Sequence, residues 1–596
     1  MTNANKAAAA VAVMAAGVLV ISAAYAVGRA GPGDAHTAAV AGYWLGEALI
    51  FAAPAALVLG RDQPGEAPAA WLAVALGLAT YLVKYLYSPA GFQFSDEFLH
   101  LRTLAAVQGS HHLFGVNDAL PVSPGFPGIE IVTGGLTDLT GLPAFPAGLI
   151  VAGLAHLILT TALYTLFRLV GGSTRTGLAA VTVYATSPHF QVFDAIFGYQ
   201  TLALAFFALA LLALRVATRP EASRGRAVAA GALAALFAAA TAVTHHVTSY
   251  ILVATAILVT AASLLAKDAR NTRRTYLGPA CFAAGSAALV ALWTGLVVPG
   301  TVSYLSPAVS QLTDGFRSAL AGHLAQAGST APLPTPAGDR VASIAVAVLV
   351  MVIIPVGWRQ IWRTQRGDAW ALALGAGAAA YYPCVVLPFV TADGSELAGR
   401  LLTFAYIPVG YTLAAALLAG PPTPRRRAVA AAATAVLLAG GITQGWPPWW
   451  ERLPGSYVVD GFESGVNAES LAAADWAAAA LPPGQRFAAD YTNYILLGTL
   501  GGQNPVNGVT AVFCGRAWTL ADALIARQQA VRYLVVDLRT SGQRAPDGSL
   551  FAEANTCPSP IPRADLTKFD AVRGITRVYD SGNIVVYDLS GAEYAP

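Results

Sequence analysis

Two carboxylates, a histidine and an arginine stand together in Gly91-Phe92-Gln93-Phe94-Ser95-Asp96-Glu97-Phe98-Leu99-His100-Leu101-Arg102, between two hydrophobic runs. Adjacent acids at the mouth of a membrane protein are costly to desolvate, so they mark a site. A carboxylate in such a mouth accepts the proton of an attacking hydroxyl, while its neighbour binds substrate, caps a helix or holds a metal. Asp96 and Glu97 are therefore the first catalytic candidates. Neighbouring side chains at a helix start diverge by about 100°, so one acid serves as the base. The same Ser95-Asp96-Glu97 stretch also reads as a plain N-terminal helix cap.

Three further groups suit a substrate-binding role. His245 and His246, in Thr244-His245-His246-Val247-Thr248-Ser249-Tyr250, lack a partner ligand at i+4 and a nearby cysteine, which favours polar lining of a cavity over a zinc site. Arg400, in Asp393-Gly394-Ser395-Glu396-Leu397-Ala398-Gly399-Arg400, has the planar fork that holds a phosphate in two places, with Glu396 one turn earlier as its competing partner. Lys84, near the end of its span, snorkels to the interface or joins that phosphate site, as does Arg102. His100 completes the polar lining. Asp194, Tyr199 and Gln200 sit near another turn, where a short polar loop explains them as well as an acceptor groove does.

Lipid must position these residues. The chain has 596 residues, 56% hydrophobic and 11% charged, against roughly 25% charged in a soluble domain. Apolar runs long enough to cross a bilayer, at roughly 20 residues each, cover 7–28, 38–60, 68–87, 144–167, 176–190, 199–217, 227–244 and 248–266. They continue at 276–298, 341–357, 369–390, 401–420 and 428–446, about thirteen helices in all. Ala24-Tyr25-Ala26 also has the spacing of a signal-peptide cleavage site, whose use would remove the first span alone. The net charge of +3 is too small to point to nucleic acid.

Alternate loops carry Arg61; Arg168 and Arg175; Arg219, Arg224 and Arg226; Lys267, Arg270, Arg273 and Arg274; Arg359, Arg363 and Arg366; and Arg425 to Arg427. The opposite loops carry Arg29, Lys84, Arg102, Arg317, Arg340 and Arg400. This asymmetry places the N-terminus in the cytoplasm of a multi-pass plasma-membrane protein, and segments 88–143, 299–340 and 447–596 outside. Segment 88–143 is expected to hold an amphipathic surface helix through Phe94, Phe98, Leu101, Leu104 and Ala105, broken by the Pro/Gly cluster 121–128. Segment 299–340, with Pro332, Pro334 and Pro336, is expected to be a mobile cover.

The domain division is thus 1–446 for the membrane module and 447–596 for an outer α/β domain, with a helix over 468–481 and strands over 486–490, 531–538 and 583–588. Of the four cysteines, Cys281 and Cys384 lie in apolar spans, whereas an exported Cys514 and Cys557 would form a disulfide. No repeat and no nucleotide-binding glycine loop is found.

An acidic pair in the first large outer loop, many helices and an outer C-terminal domain together resemble the GT-C superfamily of polytopic glycosyltransferases. Protein mannosyltransferases, lipid A aminoarabinose transferases and mycobacterial arabinofuranosyltransferases belong to it. The Ala-rich, Lys-poor helices are most similar to actinobacterial members. Here the acidic loop follows the third helix instead of the first; an added hairpin leaves its sidedness unchanged. The resemblance implies transfer of a sugar from a polyprenyl-phosphate donor to an extracytoplasmic glycan, glycolipid or protein acceptor, with inversion. Asp96 would be the base and Arg400 would stabilise the leaving phosphate, with Lys84 and Arg102 behind it. A divalent ion, Mg or Mn, on Asp96 or Glu97 stays open. The competing classes are a transporter or flippase of a lipid-linked glycan, which needs charges deep inside helices and an inverted repeat, and a non-catalytic surface receptor.

Overall fold

The computed structural model describes residues 3–31, 34–60, 63–266, 273–320, 334–390, 394–420, 423–455, 457–459, 461–546, 548, 550–553 and 557–592. The chain opens with α1 (Asn3–Arg29), α2 (Asp34–Leu59) and α3 (Glu66–Tyr87), then the shorter α4 (Ser95–Ser110) and α5 (Gly128–Thr140). There follow α6 (Ala144–Gly171), α7 (Thr174–Tyr184), α8 (Tyr199–Ala217), α9 (Arg224–Thr244), α10 (His246–Leu265), α11 (Arg273–Leu292) and α12 (Gly300–Leu320). The membrane series ends with α13 (Ala337–Thr364), α14 (Ala369–Gly377), α15 (Tyr381–Val386), α16 (Gly394–Leu417) and α17 (Pro424–Gln444). Beyond it lie α18 (Phe462–Gly465), α19 (Ala468–Ala480), α20 (Tyr491–Thr499), α21 (Leu520–Gln528) and α22 (Arg563–Leu566).

Among the described residues, twelve helical stretches are long and apolar enough to cross a membrane. The expected span at 176–190 differs. It is the 11-residue α7, followed by an irregular segment to Gly198, because Pro188 lacks the N–H that a continuing helix needs. Every residue from Gly177 to Tyr184 is buried, and α7 packs on α6 and α16. The approach to α16 depends on Gly410, where a Cβ would lie 2.7 Å from the Ala180 carbonyl oxygen.

The described residues fall into two compact units: 1–89 with 125–326 and 336–449, and 90–124 with 327–335 and 450–596. The segment carrying Asp96 therefore groups with the C-terminal part of the chain. Segment 300–320 is helical, while residues 321–333 of the expected cover, Pro332 included, lie outside the described residues.

The second unit contains one sheet of β1 (Arg486–Ala488), β2 (Asn504–Pro505), β3 (Tyr533–Asp537), β4 (Thr576–Asp580) and β5 (Ile584–Asp588), in the order β2-β1-β3-β5-β4. β1 runs parallel to β2 and β3, and β5 runs antiparallel to β3 and β4. All five residues of β3 are buried, as expected for a central strand covered on both faces, whereas the edge strand β4 is largely exposed and irregular at Arg577 to Tyr579. Leu534, Val536, Phe569, Val585 and Tyr587 belong to the core. Cys514 and Cys557 are joined as a disulfide beside it, their Cα atoms 5.3 Å apart.

Candidate active site

In the second unit, α4 begins at the predicted acidic pair, and the two acids part company. Glu97 has no solvent exposure, and its Oε2 accepts hydrogen bonds from the backbone N–H groups of Gln93 (3.1 Å) and Phe94 (3.2 Å). It thereby satisfies donors that a helix start leaves unpaired, and its charge suits the positive end of the helix dipole. Asp96, one residue earlier and on another face, is half-buried. The buried side of α4 is Phe98, Leu99, His100, Thr103 and Leu104, while Ala105 is exposed, so the expected apolar stripe is displaced. That side docks on the C-terminal residues of the same unit: Phe98 meets the Phe462 ring edge-on, and Thr499 donates to the Phe98 carbonyl at 3.2 Å.

Arg102 is tied to the same neighbours. Its guanidinium donates to the carbonyls of Gly498 (2.6 Å) and Gln503 (3.0 Å) and to Asn504 Oδ1 (3.0 Å). Burial lowers its pKa, against the pull of Asp118. Those donors hold α4 in place instead of reaching for a ligand.

In the first unit, the irregular segment after α7 forms a tight turn in which the Asp194 N–H donates to the His189 carbonyl at 2.8 Å. Asp194 has no solvent exposure. Its Oδ1 accepts from Gln200 Nε2 (3.1 Å) and Thr403 Oγ1 (3.3 Å), but its Oδ2 is buried with no hydrogen-bond partner among the described residues. Burial pushes this carboxyl up to about 7, against the two hydrogen bonds. The backbone is held from behind: the Asp194 carbonyl lies 3.3 Å from His156 Nδ1, whose Nε2 lies 3.1 Å from Thr80 Oγ1.

Arg400 sits near the start of α16, one turn before Thr403, with its guanidinium 5.7 Å from the centre of the Phe193 ring. Burial, together with the Arg400 charge, pushes His189 down to about 4, so it is neutral at pH 7, and its Nδ1 has no hydrogen-bond partner among the described residues. Glu396 lies in the first turn of α16, and its side chain is outside the described residues. Lys84 is only 1% exposed, so it does not snorkel to solvent.

His245 and His246 are both buried. His245 caps α10, its Nδ1 accepting from the Thr248 N–H at 3.4 Å and meeting Thr248 Oγ1 at 2.7 Å. Tyr199 packs on the His245 ring at 4.3 Å, and His246 lies 5.2 Å from Phe126. His246 Nδ1 is buried and without a hydrogen-bond partner among the described residues. Among the described residues, no group of three or more His, Cys, Asp or Glu side chains is placed to hold a cation. The expected Mg or Mn site on Asp96 or Glu97 therefore has no complete ligand set in these residues.

Beside the turn, α8, α10, α14, α15 and α16 enclose a cavity of about 290 Å³ with an almost wholly apolar lining. On α16 it runs from Leu401, next to Arg400, to Pro408, and Trp370 on α14 also lines it. Seven residues of helix span about 10 Å. An apolar chain suits this lining.

The first unit thus brings the Arg400 charge within reach of both His189 and His246, with Asp194 in the turn that carries His189 and with Tyr199 and His245 packed on His246. Asp96, Glu97, His100 and Arg102 are in the second unit. The sequence left Asp194 between an acceptor groove and a short polar loop and did not single out His189. The available signal was Pro188 followed by an acid within an otherwise apolar stretch.

No protein-family model and no curated protein sequence matches the chain. Solved structures do. The Archaeoglobus fulgidus oligosaccharyltransferase tethered to an acceptor peptide containing the NVT sequon aligns with a TM-score of 0.52 and 12% identity over 87% of this chain and 74% of its own. The archaeal oligosaccharyltransferase AglB from Archaeoglobus fulgidus, in complex with an inhibitory peptide and a dolichol-phosphate, gives 0.51 and 12% over 79% and 69%. ArnT from Cupriavidus metallidurans bound to undecaprenyl phosphate gives 0.50 and 14% over 89% and 100%. Likeness at this identity is a likeness of fold.

Proposed function

We propose that this chain, which has the GT-C fold of polytopic membrane glycosyltransferases, moves a sugar from a polyprenyl-phosphate donor to an acceptor hydroxyl outside the cytoplasm. The observation that carries the proposal is the apolar cavity that runs along α16 to Leu401, the neighbour of Arg400, whose guanidinium meets Phe193 in the turn of the buried Asp194. The lipids named with two of the aligned structures, a dolichol-phosphate and undecaprenyl phosphate, have the chemistry this cavity would accept. On this reading the donor's first isoprene units fill the cavity and its phosphate meets the Arg400 guanidinium. Asp194 receives a hydroxyl of the donor sugar on its free oxygen.

Asp96 takes the proton of the acceptor hydroxyl as its oxygen attacks the anomeric carbon, and Glu97 holds the helix start that carries Asp96. The bond from the anomeric carbon to the phosphate oxygen breaks, and the lipid phosphate leaves with the electron pair, stabilised by Arg400. One displacement inverts the anomeric configuration. The outer location of the second unit rests on the arginine asymmetry of the loops and suits its disulfide, which persists in an oxidising compartment.

The test is transfer of radiolabelled sugar from polyprenyl-phosphate donors to membrane acceptors by the full chain and by Asp96→Asn at equal amounts. Transfer by the wild type and its loss in the folded variant are expected. Equal transfer by both removes Asp96 from the reaction, and no transfer from any such donor sinks the proposal.

A further inference from the structure

The first helical hairpin, α1 and α2, contributes nothing to the cavity, yet it carries a carboxylate where one is expensive. Glu47 lies near the middle of α2 with no solvent exposure. Charge or unpaired polarity at that position in a membrane span is retained only where it does work. Its Oε2 accepts a hydrogen bond from Gln191 Nε2 at 2.8 Å, while its Oε1 is buried with no hydrogen-bond partner among the described residues. Gln191 lies inside the turn closed by the Asp194 N–H on the His189 carbonyl. A pull on Gln191 is therefore a pull on the peptide that presents both His189 and Asp194.

The same hairpin holds a second segment. Arg29, the last residue of α1, donates to the carbonyls of Leu86 (2.8 Å) and Tyr87 (2.7 Å), which the end of α3 leaves unpaired within the helix. Tyr25 stacks near Tyr43 of α2 at 6.1 Å and meets the Tyr87 ring edge-on at 5.7 Å. Two hydrogen-bonding anchors from one hairpin thus fix the turn after α7 and the last turn of α3.

We propose that the α1–α2 hairpin is a positioning module, in which Glu47, through Gln191, sets the turn that carries His189 and Asp194. Glu47 and Gln191 are positioning residues, since neither is placed on the reacting atoms. The inference rests on the preceding reading only in its claim that the turn serves donor binding; the brace itself is tested without it.

The experiment uses the full chain in detergent or nanodiscs, with Glu47→Leu, Gln191→Leu, the double variant and Glu47→Gln. Glu47→Gln keeps a carbonyl oxygen facing Gln191. Hydrogen exchange of residues 185–198 is expected to quicken about tenfold in both leucine variants, no further in the double variant, and hardly at all in Glu47→Gln. Unchanged exchange in Glu47→Leu, or equal quickening throughout the membrane unit, overturns the brace. Where transfer is measurable, the donor KM is expected to rise about tenfold in the leucine variants with a smaller change in kcat, and to be restored in Glu47→Gln. A loss of kcat alone in Glu47→Leu overturns the positioning role. A wild type that uses no polyprenyl-phosphate donor sinks the transferase reading while leaving the exchange result to decide the brace.

Discussion

Glu97 and Asp194 are both carboxylates without solvent exposure, one in each unit, yet their surroundings are opposite. One oxygen of Glu97 takes two backbone N–H groups at the start of α4. Asp194 receives only side-chain donors on one oxygen and none on the other, in a turn beside Arg400. A buried carboxylate satisfied by its own helix start is accounted for by local structure. One left with an unpartnered buried oxygen is destabilised as it stands, and a ligand can relieve it. Acidic spelling in the sequence does not separate the two; the bookkeeping of donors does.

The largest expected effect falls on the Asp194 side. Arg400→Ala should lower kcat/KM for transfer by about 10³, and Arg400→Lys should recover little because a point charge cannot replace the planar fork. A lysine variant with full activity would mean that only charge is read there. Asp194→Asn, which keeps an acceptor oxygen for Gln200 and Thr403, should cost about 10² in the same quantity with folding intact. Activity near wild type in that variant would make the orphan oxygen a passive feature and erase the contrast with Glu97.

Asp490 offers an intermediate case, in the second unit. It caps α20 and accepts from the Asn493 N–H (3.2 Å) and side-chain amide (2.7 Å), while burial and then the Asp537 charge raise its pKa to about 6. The folded form therefore keeps a proton that the unfolded chain loses near pH 4, so stability should fall as the pH rises from 4 to 6 and stay lower above. Asp490→Asn preserves the cap, should flatten that fall, and should add about 1–2 kcal/mol at pH 7, read by urea unfolding of the full chain at pH 5 and 7. A variant less stable at pH 7 would show that the charged form is the one the fold prefers. The smallest effect belongs to Glu97. Glu97→Ala should cost about 1 kcal/mol in stability and Glu97→Gln still less. Abolished transfer in a well-folded Glu97→Gln would move Glu97 from capping to chemistry.

The membrane helices were legible because lipid imposes a length and an apolar composition, and the helix starts at Ala144, Tyr199 and Ala369 agree with the spans read from the chain. Strands β3 and β5 were legible as short apolar runs, but β2, two residues long, and the exposed edge β4 carry no such pattern. The site was less accessible. Glu97 and His245 both look like ligands in the sequence, and only hydrogen bonds to nearby backbone groups mark them as helix caps. Asp194 looks like a loop residue, because its donors Gln200 and Thr403 are 6 and 209 positions away, and the second distance is invisible to any local pattern.

The short buried helix α7 bears on how the protein is made. At 11 residues it covers about 16 Å, roughly half the hydrocarbon thickness, so it cannot settle in lipid by itself. One principal neighbour, α6, is already present when α7 leaves the ribosome, but the other, α16, is synthesised more than two hundred residues later. Until then the turn with Asp194 lacks Thr403, its distant donor. The Asp194 end of the membrane unit is thus among the last parts to be finished, and a chain stalled before α16 is inserted yet lacks that turn's second donor.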